Sequence, residues 1–142
     1  MSADGSRSYV RITVSESKGN LDFEVGFFEA LVAESEDFVD ALIPLGDAYT
    51  KLGEYEKGLQ VDLKLSRLRP SDAMVHYNLA CSFSLLGEVE FAYEALEKAV
   101  RLGYSDIKYM LQDQDLRNVV NHNGFADFLE QILSIAKEGR RR

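Results

Sequence analysis

The 142-residue sequence predicts an all-α fold of stacked antiparallel helical hairpins, with capping helices at both ends. Three observations carry this reading. Val39 to Asp72 set against Ala73 to Asp106, a shift of 34 residues, aligns without a gap and gives ten identities, where chance supplies about two. Apolar residues recur at helical spacing within each copy, and both copies break at the same place, Leu52-Gly53-Glu54 and Leu86-Gly87-Glu88. Differences between the copies preserve size: small faces small at Gly46/Ala80 and Gly58/Ala92, and aromatic faces aromatic at Tyr49/Phe83.

Taken in order, residues 1–20 surround Val10, Ile12 and Val14 with Ser, Gly and charge. That alternation suits either a mobile tail or an extended segment lying on its own or a neighbouring protomer. Residues 21–34 carry Leu21, Val25, Phe28 and Val32 on one helical stripe and Phe23, Phe27 and Ala30 on another. A helix apolar on two faces is expected to be sandwiched, here as the second helix of a truncated leading unit resting on the helix of Leu42 and Leu45.

Repeat one covers 39–72 and repeat two covers 73–106. Gly53 and Gly87 can take the left-handed conformation that ends a helix, and the acids after them suit the positive N-terminus of the next helix. Small residues at 46, 58, 80 and 92 let the paired helices cross closely. Pro70 closes the first unit and Gly103 caps the second. Pro44 lies inside the first helix of repeat one and should either kink it or delay its regular start to about Ala41. Residues 107–138 hold a degenerate third unit, interrupted at Asp113-Gln114-Asp115, a short turn at Leu116 to Val120, and an amphipathic capping helix from Gly124 to Lys137 expected to dock on Phe91 to Leu102.

Leu45-Gly46, Tyr49, Gly53, Tyr55, Gly58 and Pro70, followed by Leu79-Ala80, Phe83, Gly87, Ala92 and Ala99, resemble the tetratricopeptide repeat pattern at its 34-residue period. The ending, with Gly103-Tyr104-Ser105-Asp106, Asp113-Gln114-Asp115-Leu116 and Phe125, resembles that of many bacterial members. Leu65 departs from the pattern, which has a small residue there. The resemblance implies a single domain over 21–142, coiled into an α-α superhelix whose concave face is built from the first helix of each unit. It also implies a non-catalytic scaffold that binds a peptide or helix of a partner protein in that groove.

By resemblance the groove residues are Asp40, Ile43, Asp47, Thr50 and Lys51 from unit one, Tyr77, Asn78, Cys81 and Ser84 from unit two, and Lys108 and Gln112 from the third. Helical spacing supports this, because Ile43/Asp47 and Tyr77/Cys81 are i, i+4 pairs on the face opposite Leu45 and Leu79. A subclass of the family grips terminal carboxylates with Lys, Asn and Arg. Here Asn78 and Lys108 match, but Ile43, Asp47 and Gln112 do not, and Asp47 would repel a carboxylate.

Sixteen basic against 24 acidic residues leave a net charge of −8, which argues against nucleic acid. The start MSADGSRSYV lacks the apolar core of a signal peptide, no run of residues is apolar enough for a membrane span, and the single cysteine forms no internal disulfide, so the expected compartment is cytoplasmic. Catalytic candidates are few. His76 and Cys81 do not converge on one helix face, Cys81 reads as packing, and His122 sits in a turn. Asp113-Gln114-Asp115 lacks the glycine and distal glutamate of a calcium loop and reads as a helix cap, so no metal or cofactor is expected. The alternative function is a self-associating structural element that pairs with another copy through exposed helix faces or the N-terminal segment. The acidic stretch from Glu16 to Asp40 and the closing Arg140-Arg141-Arg142 are either a solvated face and a frayed tail or the ends of a head-to-tail association.

Overall fold

A computed structural model of the chain describes residues 18–141, and over them every regular element is helical. The expectation for residues 1–17 lies outside the described residues. Two compact units are formed, one running up to Leu68 and the other starting at Arg69.

The first unit holds α1 (Lys18–Glu34), α2 (Val39–Lys51) and α3 (Tyr55–Leu68). Helix α1 begins three residues before the expected Leu21 and packs on α2 through the stripe that buries Leu21. Its second stripe is not sandwiched among the described residues: Phe23 and Phe27 are 75% and 52% exposed.

Helix α2 runs unbroken from Val39 through Pro44, so the start is not delayed to Ala41. Its first turn is closed by the Ala41 and Leu42 amides on the Phe38 carbonyl, at 3.1 and 3.0 Å, and Pro44 is buried. The ring therefore exchanges one hydrogen-bond donor for apolar burial. The helix ends at Gly53, φ +80°, which lets the Glu54 amide turn back to the Tyr49 carbonyl at 2.9 Å. Close crossing with α3 follows from missing side chains. A Cβ on Gly46 would lie 3.1 Å from Val61 Cγ1, and one on Gly58 would lie 3.1 Å from Thr50 Oγ1.

The second unit repeats that hairpin as α4 (Ala73–Leu85) and α5 (Val89–Arg101). Asp72 caps α4 by accepting from the Met74 and Val75 amides at 3.0 and 3.4 Å, which replaces partners that a helix start lacks. Gly87, φ +79°, repeats the Gly53 turn, and Gly103, φ +113°, ends α5 as expected. The third unit is fragmented into α6 (Ile107–Gln112), a 3-10 turn (Gln114–Leu116) and α7 (Arg117–Val120), before α8 (Phe125–Arg140). Asp113 is the cap that the sequence suggests, its Oδ1 accepting from the Asp115 amide at 3.0 Å. Helix α8 docks on α5, with the Tyr93 and Phe128 rings stacked 4.4 Å apart and with Ile132 of α8 and Leu96 of α5 both fully buried. Before it, His122 Nδ1 takes the Gly124 amide at 3.2 Å and lies 2.8 Å from the Tyr93 hydroxyl, which fixes the turn.

Candidate partner-binding face

Helix α2 carries the first set of nominated residues. Asp40 is exposed and Ile43, Thr50 and Lys51 are half-buried, so this stretch is open to contact. Asp47 is buried and is reached by Lys51 Nζ at 3.2 Å, one helical turn away. A buried carboxylate is expensive without such a partner, so Lys51 serves the fold before it serves any ligand. Thr50 Oγ1 donates to the Gly46 carbonyl at 3.1 Å. On the neighbouring face the Tyr49 hydroxyl donates to Glu29, which ties α1 to α2, and the Lys57 ammonium lies 5.7 Å from the Tyr49 ring centre. Burial first, then the Glu29 hydrogen bond and charge, push the Tyr49 hydroxyl well above the usual tyrosine range.

The second set, on α4, is placed differently. Tyr77 is 2% exposed, and Cys81 and Ser84 are buried too. The chain itself covers them. Tyr77 donates to Asp113 Oδ2 at 2.7 Å, Cys81 Sγ lies 3.8 Å from the same oxygen, and Asn118 Nδ2 donates to the Ser84 carbonyl at 2.7 Å. The Tyr77 ring stacks on Tyr104 at 4.5 Å between centroids, and Tyr109 leans toward it at 6.4 Å. Burial, aided by the charge of Asp113, drives the Tyr77 hydroxyl far up, and burial also raises Tyr104. Residues expected to line an open groove in this unit are therefore packing residues under the fragmented third unit. The physical reason is the Asp113 break: it ends α6 and lets residues 113–118 fold down on α4.

What remains open in this unit is Asn78, half-buried, and the outer side of α6. There Lys108 and Gln112 are exposed, and Tyr109 and Leu111 are 45% and 41% exposed. Tyr109, Leu111 and Asp113 were missed as site residues in the sequence. The signal available was the 34-residue period itself, which sets Leu111 opposite the nominated Tyr77.

Cys81, Asp113 and Asp115 bring one potential ligand atom each to within 4.8 Å of one another. Asp113 has both oxygens engaged, one by Tyr77 and one by the Asp115 amide, so the cluster is explained as a cap over a buried tyrosine. His76 points elsewhere, its Nε2 donating to the Pro70 carbonyl at 2.9 Å.

No family model matches the chain. A curated chloroplastic protein of Arabidopsis thaliana is 35% identical over 90 residues, which is 61% of this chain and 27% of that protein. The chain thus spans under a third of the length of the relative it matches. No helix among the described residues is long and apolar enough to cross a membrane.

Proposed function

We propose that the chain is a tetratricopeptide-like module that binds a peptide or helix of another protein and carries out no chemistry of its own. The observation that carries this reading is the repeated hairpin with matching positive-φ glycines at 53 and 87, together with two helix stretches that stay accessible: Asp40, Ile43 and Lys51 on α2, and Lys108, Tyr109 and Leu111 on α6. Mixed aromatic, aliphatic and charged residues on a rigid helix suit anchor-type peptide recognition, in which a few side chains supply most of the affinity. A net charge of −8 favours a neutral or basic partner over nucleic acid.

The test is affinity capture from a native extract with the full chain and two variants, Ile43→Glu and Tyr109→Ala plus Leu111→Ala. Partners lost with either variant support the reading; recovery equal to the unaltered chain refutes it. For the compartment, the cytoplasm is the proposal, with a plastid interior as the alternative raised by the relative's chloroplastic name. Imaging of a tagged full-length protein decides between them.

A further inference from the structure

The largest exposed apolar side chains of α1 form a face that the described residues leave uncovered. Phe23, Phe27, Ala30 and Glu34 share one stripe at i, i+4, i+7 and i+11, and Phe23 is 75% exposed. Gly26 lies beside them with nothing within 4 Å of where a Cβ would be, so another helix can approach the backbone closely. Asp22 and Glu24 flank Phe23, and Glu36 follows the helix, which makes the surroundings acidic; Asp37 beside it is paired with Lys64 at 3.4 Å. Two adjacent exposed phenylalanines are uncommon on a surface that meets only water.

The complement lies on the same chain. The last turns of α8 expose Leu133, Lys137, Arg140 and Arg141, and Gly139 there also has open space around it. Beside them is a cleft of about 610 Å³ between these turns and the Gly103 turn, with Leu102, Ile135 and Ala136 in its lining; its charged residues are Arg140, Glu138 and Arg101, the last paired with Glu97 at 2.8 Å. A cleft of mixed character, with aliphatic walls and the Arg140 guanidinium at its edge, fits an aromatic side chain flanked by carboxylates, and that is what α1 presents.

We propose that the Phe23/Phe27 face of α1 docks on the basic C-terminal turns of α8 in a second copy of this chain, Phe23 entering the cleft beside the Gly103 turn. The contact joins two different surfaces, so a pair of copies still has one of each free, and the association extends head to tail. It uses neither α2 nor α6, and so stands or falls separately from the peptide-binding reading.

Sedimentation of the full chain over a concentration series tests this. The expected result is a growing ladder of species whose apparent dissociation constant weakens by roughly tenfold between about 0.05 and 0.5 M salt, as exposed opposite charges are screened. Phe23→Ser plus Phe27→Ser disables one surface, and Lys137→Glu plus Arg140→Glu disables the other. All four positions are exposed, and circular dichroism checks that both variants fold. Each variant alone should be monomeric, while an equal mixture should form a dimer and nothing larger, because each still carries the surface that the other lacks. A full chain that stays monomeric to millimolar concentration overturns the proposal. So does a mixture that forms no dimer, or a charge-reversed variant that associates as the unaltered chain does, which would place the contact between two α1 faces or elsewhere.

Discussion

Asn118 follows Ser84 by 34 residues, one full repeat, and its Nδ2 donates to the Ser84 carbonyl at 2.7 Å. The same interval separates Gln131 from Glu97, whose side chains meet at 3.3 Å. Although α6 and α7 are broken apart, the third unit still contacts the second one period on. Asn118→Ala removes one of the two donors to the Ser84 carbonyl, which keeps the Gly87 amide at 2.9 Å, and so cuts the tie between the third repeat and the second. The expected loss is about 1 kcal/mol in urea denaturation, with faster amide exchange over residues 113–120.

The Ser84 hydroxyl itself is fully buried and has no hydrogen-bond partner among the described residues. An unsatisfied buried hydroxyl costs free energy that an alanine methyl does not, so Ser84→Ala should raise stability by about 1 kcal/mol. The two substitutions touch neighbouring atoms and are expected to move the denaturation midpoint in opposite directions. A fall in the midpoint for Ser84→Ala would show that the hydroxyl is bonded.

Four tyrosine hydroxyls, those of Tyr49, Tyr77, Tyr93 and Tyr104, are raised above the ordinary value of 10.0, chiefly by burial. A folded-state value above the unfolded one means that the unfolded chain loses its protons first. The stabilisation is therefore complete below about pH 10 and is lost as pH rises beyond it. Thermal melts should be flat from neutral pH up to that point and fall steeply above it, with tyrosinate absorbance appearing together with unfolding. Tyr77→Phe should reduce the alkaline steepness, at the expense of leaving Asp113 Oδ2 without its hydroxyl donor at every pH.

The hairpins were legible because their determinants are local and repeated. A glycine at 53 and at 87, an acid after each and the small-residue pairs at the crossings lie within one 34-residue window, and the structure places both glycines at positive φ. The capping helix was legible from its apolar spacing. Which first-helix faces stay open was not. That depends on Asp113, whose role as a cap was readable, while its second oxygen reaching Tyr77, 36 residues earlier, was a tertiary outcome with no local signal. The exposed Phe23/Phe27 stripe was misread for a related reason: periodicity shows that a face is apolar, and the partner that covers it lies in another part of the chain or outside it.

The two hairpins solve one packing problem in two ways, and this yields the sharpest test. In the first unit Gly46 stands where a Cβ would meet Val61 Cγ1 at 3.1 Å; one period later both positions are alanine, Ala80 and Ala95, and both are buried. Glycine with valine and alanine with alanine thus fill the same crossing. Gly46→Ala alone forces Val61 to give way, and Val61→Ala alone leaves a gap, so each should cost about 1 kcal/mol or more. Together they recreate the arrangement of the second unit and should cost less than the sum, with a coupling of about 1 kcal/mol in a double-mutant cycle. Additive losses in that cycle would show that the two crossings are not equivalent, and the repeat would then be one of sequence without shared packing.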